Sequence, residues 1–174
     1  MDFRLRAHTL PSPREDSAPL LYAHHFRDGH LVWPITHKKP NALALTPETR
    51  KALLPSGFYT LTRRFSSKEE RRRLVAFVVD PAELPHPLYG FENHLNIFHA
   101  DKAGLPEDLA RGLAVYLNSS VADQAFRVFS GHAQVNAGDL RALRYPDRAT
   151  LTAYGRRAKD SGLPLTRCAA SPGL

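Results

Sequence analysis

Between Thr62 and Arg73 the chain reads TRRFSSKEERRR, which sets Arg63, Arg64, Lys68, Arg71, Arg72 and Arg73 against only Glu69 and Glu70. Guanidiniums interleaved with the hydroxyls of Ser66 and Ser67 and with one aromatic, Phe65, suit a strand–turn–strand edge that grips phosphate oxygens. A solvated hairpin tip is the competing reading. Further on, GHAQVN spaces His132, Gln134 and Asn136 by two, so an extended backbone projects all three from one face. Side-chain amides read adenine and arginine reads guanine in the major groove, which gives Gln134, Asn136, Arg141 and Arg144 a chemistry to perform. Bonds from Gln134 or Asn136 to their own loop backbone would serve structure instead.

Catalytic patterns are thin. His24, His25, His86, His94 and His99 belong to no H-E-x-x-H arrangement, and Cys168 is the single cysteine, so the chain cannot build a thiolate cluster by itself. His94 and His99 are five apart, which puts them on opposite faces of a strand. A divalent-metal nuclease would draw on Asp80, Glu83 and Glu92 with Lys68 as partner. Ser130-Gly131-His132 lacks the G-x-S-x-G elbow, and no glycine-rich phosphate cradle is present.

The elements that must position these residues follow from composition and periodicity. The 174 residues carry 24 Lys plus Arg against 17 Asp plus Glu, a net charge of +7, with a pI near 9.9. One ordinary domain with a basic surface is implied. No apolar run approaches membrane-spanning length and the opening residues lack a signal peptide's apolar stretch, so a soluble cytoplasmic protein is expected. Residues 1–19, rich in proline and charge, read as a flexible leader, 20–159 as a single domain and 160–174 as a flexible tail.

Within that domain the composition around Asp28-Gly29 predicts two short strands ending near Pro34, and Thr46-Pro47 starts a short helix over 47–54. Strands are expected at 57–65 and 72–80, joined as an antiparallel pair, and at 91–100. The proline-rich stretch 81–90 reads as a loop. Helices follow from about 106 and from about 119, the second with an apolar stripe of Val121, Ala125, Phe126 and Phe129. A short turn or helix precedes Pro146, and a last helix covers 148–159. The fold class is α+β, an antiparallel or mixed sheet packed against C-terminal helices.

Three strings, RFSSKEERRR at 64–73, GFENHLNIFH at 90–99 and LAVYLNSSVADQAFRVFSGHAQVNAGDLRALRYP at 113–146, together resemble one family. It is the C-terminal target-recognition portion of N6-adenine DNA methyltransferases from bacterial restriction–modification systems, in the group of Eco57I-like modification enzymes. The resemblance covers about residues 28–155. In that family an N-terminal half binds S-adenosylmethionine and carries an N/D-P-P-Y/F motif; here Asn and Pro adjoin only in the reversed order Pro40-Asn41, and the sequence has no Pro-Pro pair.

The resemblance thus implies sequence-specific recognition of double-stranded DNA by a specificity portion without its catalytic half. Such a portion is not catalytic alone; S-adenosylmethionine belongs to the missing half, which is a partner domain or subunit. The family string GH-x-QVN-x-x-DLR-x-L falls on Gly131, His132, Gln134, Val135, Asn136, Asp139, Leu140, Arg141 and Leu143. Ala133 and Gly138 stand where threonine is common. FSSKEE falls on Phe65 to Glu70, and Arg64, Ser66, Ser67 and Lys68 are the implied phosphate-facing residues. Two alternatives stay open: a small metal-dependent nuclease, and an interaction module without DNA affinity that docks a catalytic subunit.

Overall fold

A computed structural model describes residues 3–67, 69–130, 133–162 and 165. A 3-10 turn at Phe3–His8 leads into β1 (Thr9–Leu10) and β2 (Ser17–Leu21). The hairpin of β3 (Phe26–Arg27) and β4 (His30–Leu31) is closed by Asp28 and Gly29 at φ 52° and 89°, the left-handed pair that a two-residue turn requires. After β5 (Ala42–Ala44) comes α1 (Pro47–Arg50), whose cap Thr46 accepts the Thr49 N–H through its hydroxyl at 3.2 Å. The remaining strands are β6 (Leu54–Pro55), β7 (Tyr59–Arg63), β8 (Ala76–Val79), β9 (Leu88–Phe91) and β10 (Leu95–Phe98). Four helices follow: α2 (Glu107–Leu117), α3 (Ser120–Phe129), α4 (Ala137–Ala142) and α5 (Arg148–Ser161).

The architecture is α+β. One mixed sheet runs in the order β1-β5-β2-β9-β6, a second, antiparallel one in the order β10-β7-β8, and β3-β4 stand as a ribbon. The expected antiparallel partnership of β7 and β8 is present, with Tyr59 opposite Val79 and Thr62 opposite Ala76. Helix α2 lies against both strands and against α5. In the main core Leu74, Ala76 and Val78 meet Ala114, Leu117, Phe126 and Leu151; Tyr59, Leu61, Tyr89 and Phe91 fill a second core between the sheets.

Four local expectations give way. The leader is packed, because all of β2 is buried and Leu5 joins Ala18, Leu43 and Leu53 in a third cluster. Pro19 is tolerated there since β2 pairs with β5 over 17–19 and then passes to parallel pairing with β9 at Leu20 and Leu21. The presumed loop 81–90 ends in a central strand: its last proline is Pro87, leaving Leu88–Phe91 free to pair on both edges. The strand predicted over 91–100 divides into the end of β9, a turn, and β10. At the C-terminal side, α5 runs to Ser161 before Gly162 ends it at φ 59°, and Leu165 is buried in the main core. The other tail residues, with Cys168, lie outside the described residues.

Polar side chains fasten these layers. Asn118, buried at the end of α2, accepts the Ala76 N–H through Oδ1 and donates Nδ2 to the Ala76 carbonyl, both at 3.0 Å. It thus completes the outer edge of β8 as another strand would. Asn118→Ala leaves both backbone groups unpaired, and a loss of about 2–3 kcal/mol in urea unfolding is expected. Asn118→Asp, which cannot donate to the carbonyl, should recover only part of it.

Candidate nucleic-acid interface

The arginine-rich segment and the amide loop meet directly. Beyond the end of β7, the Ser66 N–H donates to the Ala133 carbonyl at 3.0 Å and the Val135 N–H to the Arg64 carbonyl at 2.7 Å. Phe65 and Gln134 are therefore opposed in an antiparallel bridge. Because both bonds flank the pair, this is the close, non-hydrogen-bonded type, whose Cα atoms stand about 4.5 Å apart with side chains on one face. Burial agrees with that alternation: Phe65 and Gln134 are exposed, while Ser66 and Val135 are buried.

The third string joins from the other side. The Arg64 N–H donates to the His94 carbonyl at 2.8 Å, and Asn96 sends Nδ2 to the Val135 carbonyl at 2.8 Å. The Phe65 ring stands edge-on to His94, centroids 5.0 Å apart, and His94 is held by Glu92 at 2.9 Å. Ala23, Arg63, Phe65 and His94 line a shallow recess here.

Within the 63–73 segment the cations divide into structural and exposed members. Arg63 pairs with Glu70 at 2.6 Å. Burial pushes the Glu70 carboxyl up, but its bonds from Arg63 and the Ser67 N–H and the arginine charge prevail and hold it below the ordinary range. Arg73 is buried over the Phe126 ring. The Ser67 hydroxyl donates to Glu69.

Buried Ser66 is a correction to its implied phosphate-facing role: only its backbone serves the interface, by making the bridge. Arg64 is half-buried, with a 3.3 Å bond to the Asn93 carbonyl, Arg71 is exposed and Arg72 half-buried. Lys68 and His132 lie outside the described residues.

Helix α3 braces this turn. Asp123 accepts the Arg73 N–H at 2.6 Å, the Leu74 N–H at 2.9 Å and Arg127 Nε at 2.7 Å, and Arg127 reaches on to the Glu70 carbonyl at 2.8 Å. The apolar stripe expected on α3 is displaced: Ala122 and Phe126 are buried, whereas Val121 and Ala125 face outward. One helical step decides the difference, since Ser119 caps the helix and turns Asp123 inward.

On the other flank, Asp139 accepts the Asn136 N–H at 3.3 Å, so Asn136 begins α4. The Tyr116 hydroxyl donates to the Arg144 carbonyl at 2.7 Å and the Tyr145 hydroxyl to the Leu140 carbonyl at 2.9 Å; burial raises both phenol pKa values, so both stay protonated donors. Arg141 and Arg144 are thereby held outward and exposed. Arg141 rims a groove of about 330 Å³ floored by Phe98, Leu113, Leu140 and Tyr145. The remaining basic residues near the C-terminal end do not all join this face: Arg156 pairs with Asp108 at 2.9 Å and Lys159 with Glu107 at 2.8 Å, tying α5 to α2.

Sequence reasoning weighed His94 only as a metal ligand, gave Asn96 and Asn118 no role, and treated Phe65 only as an interleaved aromatic. The one available signal was Phe65 itself, a large apolar residue in a run of charge. The carboxylates proposed for a nuclease serve elsewhere. Asp80 pairs with Arg111 at 2.7 Å, Glu83 accepts the Leu31 N–H and Glu92 the His94 N–H. Among the described residues no group of three His, Cys, Asp or Glu could hold a metal ion, and no helix is long and apolar enough to cross a membrane.

With this geometry in view, comparison with known proteins shows that the chain is homologous to part of Type II methyltransferases. It is 44% identical over 156 residues to the Type II methyltransferase M.BsuBI of Bacillus subtilis, a match covering 90% of this chain and 31% of that protein. To the Type II methyltransferase M.PstI of Providencia stuartii it is 46% identical over 152 residues, covering 87% and 30%. The chain spans about a third of the length of these curated relatives. No family model and no solved structure matches it.

S-adenosylmethionine does not fit the described residues. Parallel pairing is confined to β2 with β9, and α2 to α5 follow Pro106, Ser119, Asn136 and Asp147 rather than a glycine-rich turn after a strand. No methyl-transfer step is assigned to this chain.

Proposed function

We propose that this chain is the specificity portion of an adenine-specific DNA methyltransferase of a restriction–modification system, and that it recognises duplex DNA in the cytoplasm. The observation that carries the reading is the pairing of 64–66 with 133–135, which brings the arginine-rich segment and the amide loop to one surface. Arg64, Arg71 and Arg72, with Ser67 and Lys68, supply phosphate contacts, whose affinity is salt-dependent and indifferent to sequence. Gln134, Arg141 and Arg144, together with His132, supply discrimination at base edges. Arg63 and Asn136 contribute by holding the turn and the start of α4. The catalytic half and its S-adenosylmethionine belong to the remainder of a protein of the relatives' length, and a duplex held here would present its adenine to that half for extrusion.

Fluorescence anisotropy on a randomised duplex pool, titrated from about 50 to 200 mM salt with the bound fraction sequenced, tests this. Steep loss with salt and an enriched motif are expected. Arg71→Ala should weaken cognate and random duplexes alike and lower the salt slope by about one. Gln134→Ala should cost about 1–3 kcal/mol on the enriched motif and little on random DNA. Equal effects of both substitutions on both duplexes would refute the division of labour, and absence of binding at the lowest salt would refute the function.

A further inference from the structure

We infer that Phe65 and Gln134 read one A·T base pair jointly, Gln134 through the adenine edge and Phe65 through the thymine methyl. The inference rests on the recognition reading above and adds a residue and a base to it. Phe65 is 46% exposed, a large apolar side chain set among charges at the basic surface. Nothing about the fold requires it there: its neighbours Arg64 and Ser66 make the backbone bonds, and the ring reaches no core cluster. It is nonetheless held in place, by the bridge beneath it and by the edge-on contact with His94 at 5.0 Å. An ordered, exposed aromatic beside an amide is costly to leave in water and well suited to meeting an apolar partner.

The spacing identifies that partner. Across the close pair the two side chains leave the backbone about 4.5 Å apart and on the same face. In the major groove an A·T pair offers the N7 acceptor and N6 donor of adenine and, past thymine O4, the C5 methyl; a G·C pair has no methyl. An amide and an apolar ring standing side by side match that polar-then-apolar edge. Gln134 alone would accept adenine, and Phe65 beside it makes the choice depend on both bases of the pair.

The test uses the whole chain and the motif enriched from the pool. Each thymidine is replaced in turn by deoxyuridine, which deletes only the methyl, and binding is measured for the unsubstituted protein, Phe65→Ala and Gln134→Ala. One position should weaken the unsubstituted protein about fourfold, the worth of one buried methyl group. Phe65→Ala should bind the thymidine and deoxyuridine duplexes equally. At the same pair, 7-deazaadenine should weaken the unsubstituted protein but not Gln134→Ala.

Because the Phe65 side chain is exposed, Phe65→Ala should keep the melting temperature, which separates a reading role from a structural one. Duplex binding with no sensitive thymidine, or a sensitivity that survives in Phe65→Ala, overturns this inference alone. Tighter binding to an abasic or mismatched site that Phe65→Ala abolishes would make the ring a wedge and overturn it likewise. No duplex binding at any salt overturns the recognition reading together with it.

Discussion

Gly112→Ala should destabilise the protein by about 3 kcal/mol or more, lowering the melting temperature by roughly 6–12 °C, although helix propensity alone favours alanine by about 1 kcal/mol. Gly112 sits in α2 and Gly155 in α5, and the two helices touch backbone to backbone: a Cβ on Gly112 would overlap the Leu151 carbonyl oxygen, and one on Gly155 the Asp108 carbonyl oxygen. Neither obstacle is the end of a flexible side chain, so the helices must separate. Separation would also pull Arg156 and Lys159 from Asp108 and Glu107. Gly138→Ala in α4 is the control, since nothing lies within 4 Å of the added methyl. It should leave stability unchanged or raise it by up to about 1 kcal/mol. The melting temperature should fall for Gly112→Ala and hold or rise for Gly138→Ala; a stabilised Gly112→Ala would refute the close crossing.

Asp123→Ala is expected to cost about 3–5 kcal/mol, because the buried carboxylate serves two backbone N–H groups and Arg127 at once. Asp123→Asn retains an acceptor oxygen and should cost clearly less. Burial pushes the Asp123 carboxyl up, but the bonds from Arg127, Leu74 and Arg73 outweigh it and hold the pKa below its ordinary 3.8. The sign follows: a carboxylate with a lowered folded-state pKa contributes its full stability above the unfolded value, near 4, and loses it as pH falls through the lowered one. Urea midpoints measured down through that window should therefore fall more steeply for the unsubstituted protein than for Asp123→Ala. Parallel pH profiles would refute the carboxylate's role. Since Asp123 also places Arg127 on the 70–71 carbonyls, duplex affinity should fall in the same variant even where it remains folded.

Signals that act within a few residues were legible from the sequence. The Asp28-Gly29 turn, the Thr46 cap and the β7–β8 pair each follow from local chemistry, and α2 and α5 from helical periodicity. What escaped depends on partners far along the chain. Nothing near Pro19 announces that β9 will take over its strand, and nothing near Gly112 announces Leu151. The stripe on α3 failed because a buried carboxylate, whose backbone partners are the distant N–H groups of residues 73 and 74, reorients the helix against its valines. At the candidate interface the residue types were readable and their partition was not. Arginines that look alike in sequence become a buried member at Arg73, a paired one at Arg63 and an exposed one at Arg71 only once Phe126, Glu70 and the bridge to Gln134 are in place.

That bridge also fixes when the surface can come into being. Phe65 leaves the ribosome well before Gln134, by an interval on the order of seconds at about 5–20 residues per second. Until the later segment arrives, the extension of β7 past Arg63 offers unpaired backbone groups and a bare aromatic ring, the combination that recruits a strand from another molecule. The nascent chain thus passes through a period in which its prospective reading edge is an aggregation hazard, and the loop that later discriminates bases is what closes it.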